Sequence, residues 1–382
     1  MLNAGLWTIY GTEPTGRFCL FGDTGPRTDL KDETQRFIDL VAMATGLPIF
    51  RDYSRYLYGL HGEAGYYSGY RWGIPLFRGL PEWDFDKDDA LKDLSILEGR
   101  LKRGALFGRN GMGQVFIRSD WGPDATFISF QAGHSFTHHG HYQAGHFTIT
   151  KKAPLAITSG TYGGYTSAHR LHYYLRTVSG NSLLVLRPGE RVKPNRFFEE
   201  DVADGGQRIV MPTGSAVISV KDWEANLYKG RHYEGGRITA FENSDPTFVY
   251  IGSDLTGAYN NTEFDDNGKG GKVQKITRQL VYLTDEDLLM VYDNVVTTDA
   301  AYTKKWLLHS WSKPETKRER VLVGTKNDGI LESADNRIII TRFSLKKKGN
   351  TIDFLWCLKQ ACIRIFQISM PDGSEGMLLM VC

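Results

Sequence analysis

The sequence predicts a mainly β protein: a large antiparallel β-sandwich preceded by a short α-helical segment. Three observations carry that expectation. Aromatic residues make up 12% of the chain and 42 residues are glycine, a combination that favours strands joined by tight turns. From about Gly104 onward, short apolar runs recur between Gly, Pro, Asp and Asn. Before that point, one amphipathic stripe has the period of a helix.

That stripe is Phe37, Ile38, Val41, Ala42 and Ala44. Asp29 or Asp32 can cap it, and Gly46-Leu47-Pro48 stops it. A second helix is expected over roughly 88–101, where Leu91, Leu94, Leu97 and Leu101 recur. The expected strands include Val115–Arg118, Thr126–Phe130, Phe147–Thr150 and Ser182–Leu186. Further runs follow at Val217–Val220, Gln279–Leu283 and Arg337–Ile340. Lys317-Arg318-Glu319-Arg320 reads as a solvated turn. There is no internal repeat.

Composition narrows the function classes. A chain of 382 residues with 41% hydrophobic content can bury a large core, in more than one domain. The formal net charge of +2 lacks the basic footprint of a nucleic-acid binder. Cys19, Cys357, Cys362 and Cys382 are too few and too scattered for a disulfide framework. No run of 18 apolar residues is present, so no membrane span is expected. Met1-Leu2-Asn3-Ala4-Gly5-Leu6-Trp7 lacks the basic and apolar regions of a signal peptide. The protein therefore either stays inside the cell or has more chain upstream.

The chemistry concentrates in one place. Seven of the ten histidines lie between His134 and His172. Imidazole titrates near neutral pH and ligates metals, so such crowding marks a candidate site. In an extended segment His139 and His141 point to the same face. A metal or acid/base centre would complete the pair with carboxylates.

The segments Gly113–Trp121, Phe136–Phe147, Ala153–Tyr162 and Tyr173–Leu183, in this order, resemble the central β-domain of the heparinase II/III-like polysaccharide lyases. Tyr233–Ile238, Asp254–Tyr259 and Lys305–Ser310 extend the resemblance, which covers roughly residues 1–345. It implies that residues 1–103, including the turn Phe21-Gly22-Asp23-Thr24, are the last part of an α/α-toroid and its linker. Residues 104–345 are then the β-sandwich (a supersandwich in this family), and 346–382 an atypical or truncated tail.

The activity the resemblance implies is β-elimination at a uronic acid. A base removes the C5 proton, and an acid helps the C4–O leaving group depart. His139 falls on the family's catalytic histidine; of the residues bordering the cleft, Tyr162 is the second catalytic candidate and His169 a substrate-binding one. Arg118 and Arg176 are candidates to grip a substrate carboxylate or sulfate, or to close internal salt bridges. The missing toroid residues have tempting replacements in His61, Tyr66, Tyr67 and Tyr70, which read better as packing or turn residues.

In the family's zinc-containing branch the second histidine of the pair binds metal, which assigns His141 that place. Thr158 and Gly180 stand where its other ligands are expected. Zinc wants three or four protein ligands, so the site reads as incomplete and no cofactor is expected with confidence. The expected partner is an acidic, uronate-containing glycan of heparin or heparan type, and a homodimer is possible. The resemblance implies a bacterial periplasmic or secreted setting. The competing expectation is a catalytically impaired, carbohydrate-binding remnant of such a lyase.

Overall fold

The computed structural model describes residues 1–24, 28–30, 32–62, 90–134, 139–190, 203–208, 219–226, 235–260 and 270–311, and beyond them the backbone of five strands. Three helices come first: α1 (Leu2–Gly11), α2 (Asp32–Thr45) and α3 (Pro48–His61). The stripe read from the sequence is α2, with Ile38, Val41 and Ala42 buried. Pro48, expected only as a stop, also opens α3. Proline suits the first turn, where a missing N–H costs nothing. Phe50, Tyr53, Ser54 and Leu57 then bury one face of α3.

The helix expected over 88–101 does not form in its described part. Only Ser95–Leu97 winds, as a single 3₁₀ turn. Asp93 Oδ1 accepts the Ser95 N–H at 2.8 Å, closing a local turn that competes with helix propagation. Leu94 and Leu97 still reach the core, so the apolar spacing reported burial rather than helix.

Five strands make the first sheet, a meander in chain order: β1 (Gly104–Phe107), β2 (Gln114–Arg118), β3 (Phe127–Gln131), β4 (Phe147–Lys151) and β5 (Ala153–Ala156). β6 (Leu183–Leu186) pairs with β11 (Thr303–Trp306). Of the run at Val217–Val220, residues 217 and 218 lie outside the described residues, and Val220 opens a short helix, α4 (Val220–Asn226). Next come β7 (Arg237–Glu242), β8 (Phe248–Asp254), the short helix α5 (Thr256–Asn260), β9 (Val273–Leu283) and β10 (Leu288–Thr297). After β11 follow β12 (Glu315–Lys317), β13 (Arg320–Gly324), β14 (Arg337–Ser344), β15 (Arg364–Ser369) and β16 (Glu375–Val381). The larger sheet has the order β12-β13-β14-β15-β16-β10-β9-β8-β7. All its described pairings are antiparallel except β14 with β15. β15 and β16, from the tail beyond residue 345, lie within this sheet.

Strand alternation builds three layers. On β2, Val115 and Ile117 join one core cluster, whereas Phe116 between them joins another. On β3, Ile128 and Phe130 divide from Phe127 in the same way. The first cluster is shared with Val249, Ile251, Leu280 and Val291 of the larger sheet, so the two sheets bury one core between them. The second is shared with Ile9, Ile38, Val41, Phe50 and Leu57 of the helices. The smaller sheet is therefore covered by helices on one face and by the larger sheet on the other.

Arg278 of β9 fastens the histidine-bearing loop to this frame. Its Nε and Nη2 donate to the Asp293 carboxylate, both at 2.7 Å, and the pair is fully buried. Its Nη1 donates to the carbonyls of Gly145 at 2.5 Å and Asn181 at 2.8 Å. One guanidinium thus holds two loops on the larger sheet.

Candidate functional site

The site is built where the turn Gly22-Asp23-Thr24, between α1 and α2, docks on two loops of the β-region. The Asp23 N–H donates to the His139 carbonyl at 3.2 Å. Gly22 makes that approach possible. It sits at φ +65°, and a Cβ there would stand 2.6 Å from the His139 carbonyl oxygen. Tyr174 clamps the other side of the turn, its hydroxyl 2.6 Å from the Thr24 carbonyl and 3.2 Å from that of Gly22.

Asp23 is the hub. Its Oδ2 accepts from His139 Nδ1 at 3.0 Å, and its Oδ1 from His141 Nε2 at 2.9 Å. Arg170 adds a planar fork, with Nε to Oδ1 and Nη2 to Oδ2 both at 2.8 Å. The side chains of Asp23 and Arg170 are 3% and 0% exposed, whereas that of His139 is 54% exposed. A buried ion pair therefore stands behind a histidine at the surface. Arg170 also stacks beside Tyr165, 4.5 Å from its ring centre, and opens a single π-helical turn over Arg170–Tyr174. Such turns are frequent at functional sites.

The electrostatics follow from this packing. Burial alone would raise the Asp23 carboxyl, but hydrogen bonds from His141, Arg170 and His139 outweigh it. The carboxyl is held well below its usual range and is ionised. An ionised carboxylate only accepts, so each imidazole nitrogen facing it carries a proton. Burial pushes the His141 pKa down despite the Asp23 contact, which leaves His141 neutral.

Aromatic rings line the same corner. The His141 ring meets Tyr174 edge-on at 4.6 Å. His169 stacks on Tyr174 at 6.2 Å with an 11° interplanar angle, and lies 5.6 Å from Tyr173. Tyr162 is partly exposed, 6.0 Å from the Arg170 guanidinium, and its N–H donates to the Thr24 carbonyl at 3.2 Å. His139, His141, Tyr162 and His169 are thus gathered around one turn.

Of the two roles open to Arg118 and Arg176, burial favours the internal one over a grip on substrate. Arg118 is 1% exposed, and its Nη2 donates to the carbonyls of Tyr10 at 3.1 Å and Thr12 at 2.7 Å. Its guanidinium lies over Trp121, 4.0 Å from the ring centre. It is a cation at the C-terminal end of α1, where the helix dipole favours one. Arg176 is also buried and pairs with Asp204 through Nε at 2.8 Å and Nη2 at 3.1 Å. Both side chains are spent inside the protein.

The zinc position that the sequence leaves incomplete does not gather around His141. Thr158 and Gly180 surround His146, not His141. His146 Nε2 bonds Thr158 Oγ1 at 2.8 Å, and its Nδ1 accepts the Asn181 N–H at 2.8 Å. That acceptance fixes the Nε2–H tautomer, so both nitrogens are occupied. Burial drives the His146 pKa down to about 3. His141 spends Nε2 on Asp23, and neither Thr158 nor Gly180 offers a carboxylate or an imidazole. This donor set does not fit zinc. Among the described residues, no group of three or more His, Cys, Asp or Glu side chains is arranged to hold a metal ion.

Asp23, Arg170 and Tyr174 were not singled out from the sequence. The only signal was the turn Phe21-Gly22-Asp23-Thr24, which carries an acid but says nothing of its partner 116 positions away. His61 is exposed at the end of α3, and Tyr66, Tyr67 and Tyr70 lie outside the described residues.

No protein-family model matches the chain, and no curated protein matches it. Solved structures give distant likenesses. A heparan sulfate lyase, HepC, from Pedobacter heparinus is 12% identical over 97% of this chain and 42% of its own, with a TM-score of 0.47. A heparinase III is 11% identical over 99% and 45%, with a TM-score of 0.48. A second heparinase III, with methylated lysines, is 10% identical over 97% and 41%, with a TM-score of 0.49. The chain thus spans less than half the length of these proteins. Among the described residues, no helix is long and apolar enough to cross a membrane.

Proposed function

We propose that this chain is part of a polysaccharide lyase that cleaves a uronate-containing acidic glycan, of heparin or heparan type, by β-elimination. The observation that carries the reading is the exposed His139 ring backed by the buried Asp23–Arg170 pair. A histidine so placed can exchange a proton with a ligand while its other nitrogen is anchored. The ordered sequence motifs supply the reaction class.

In this reading His139 takes the C5 proton of the uronate. The electron pair left on C5 forms the C4=C5 double bond, and the C4–O bond breaks. The departing oxygen takes a proton from the Tyr162 hydroxyl, and solvent restores both residues. His169 with Tyr173 and Tyr174 offers a wall of rings against which a sugar face can pack. The group that neutralises the substrate carboxylate is neither Arg118 nor Arg176, since both are turned inward. A substrate of this class places the protein in the periplasm or outside the cell.

The inward turn of those two arginines also favours a second reading, a carbohydrate-binding remnant without turnover. A panel of acidic polysaccharides separates the two. The lyase releases an unsaturated uronide, seen as new ultraviolet absorbance that His139→Ala abolishes. The remnant binds glycan and yields none.

A further inference from the structure

We infer that Asp23 is the positioning residue of this site, holding His139 as its Nδ1–H tautomer so that Nε2 is the nitrogen that exchanges protons with a ligand. The inference deepens the lyase reading and takes its chemical meaning from it.

Three observations support the assignment. Asp23 grips His139 twice, through its N–H on the His139 carbonyl at 3.2 Å and through Oδ2 on the ring Nδ1 at 3.0 Å. The first bond fixes the backbone from which the ring projects, and the second fixes the ring's rotation. Arg170, fully buried, occupies both carboxylate oxygens and keeps the carboxylate plane from turning. His141 takes the remaining direction on Oδ1 from a fully buried ring. The carboxylate therefore has four side-chain donor contacts and one available role, that of acceptor.

The consequence is chemical. In free histidine the Nε2–H form is the commoner neutral tautomer, which would leave Nδ1 beside the backbone as the basic nitrogen. An acceptor anchored on Nδ1 reverses that preference and leaves the lone pair on Nε2. A base is useful only where its lone pair reaches the proton to be removed. Asp23 touches no substrate in this arrangement; it acts through His139.

The test reads the tautomer directly. In the full chain labelled with ¹⁵N-histidine at about pH 8, the His139 resonances are assigned by their loss in His139→Ala. The unsubstituted chain is expected to show His139 predominantly as Nδ1–H, and Asp23→Ala is expected to return it toward Nε2–H. In the lyase assay Asp23→Ala is expected to lower kcat by about 100-fold, with a much smaller change in KM. A role confined to stability would leave the tautomer ratio of the folded variant unchanged. An Nε2–H His139 in the unsubstituted chain overturns the inference, and that result needs no variant to fold. If no glycan is cleaved, the lyase reading fails while the tautomer measurement still decides the assignment of Asp23.

Discussion

His139 Nδ1 lies 3.0 Å from Asp23 Oδ2 across a sequence separation of 116 residues. The turn between the first two helices therefore completes the histidine site of the β-region. The helical segment is part of the site's construction.

The ion pair behind the histidine has a stability consequence. Arg170→Ala leaves a buried carboxylate without its cation and is expected to cost about 3–5 kcal/mol. His139→Ala removes a half-exposed ring and is expected to cost less than about 1 kcal/mol. Chemical denaturation of both variants checks the contrast, and equal losses would contradict it.

Gly22 is needed for contact as well as for conformation. A Cβ there meets the His139 carbonyl oxygen at 2.6 Å, and the residue sits at φ +65°. Gly22→Ala is expected to destabilise the chain by about 1–3 kcal/mol and to displace the 139–141 loop. The readouts are the melting temperature and the His139 NMR signals. Unchanged His139 signals would show that the loop does not depend on this approach.

Arg118 separates an internal role from a substrate role. Arg118→Met removes the cation from the Tyr10 and Thr12 carbonyls and is expected to lower stability by about 2–4 kcal/mol. Affinity for a heparin-type glycan, measured on the folded variant by calorimetry, is expected to stay within about twofold, an energy difference of roughly 0.4 kcal/mol. A tenfold loss would return Arg118 to the binding surface.

Glu13 should shape the response to pH. Burial pushes its carboxyl from 4.5 up to about 7, against hydrogen bonds from Thr15 and Thr150. Between those values the folded chain keeps a proton that the unfolded chain has released. Its contribution is therefore most favourable below about pH 4.5 and declines as pH rises toward 7. The full difference is about 3 kcal/mol. Glu13→Gln is expected to gain stability relative to the unsubstituted chain at pH 8 but not at pH 4.5. Parallel pH profiles for the two proteins would contradict this.

Much of the fold was legible because strand alternation is a local signal. Val115, Phe116 and Ile117 announce two buried faces by themselves, the run at 127–131 behaves alike, and 279–283 alternates with a single buried face. Helices were harder. Pro48 reads equally as a stop and as a first turn, and Leu91–Leu101 keeps helical spacing while Asp93 turns the chain. At the site, the histidines declared themselves by crowding. Asp23 and Arg170 did not, because their meaning lies in each other and in His139, far apart in sequence. For Arg118 and Arg176 the sequence left an internal and a substrate role open, because a guanidinium suits a buried carbonyl or carboxylate as well as a substrate anion.

Lyase activity at His139 is decided by ultraviolet detection of unsaturated uronide release from a panel of acidic glycans, run in parallel with His139→Ala. An absorbance rise is expected on at least one uronate-containing glycan with the unsubstituted chain, and none with the folded variant. A rise of equal rate in both, or no rise on any glycan that the protein binds, would contradict it.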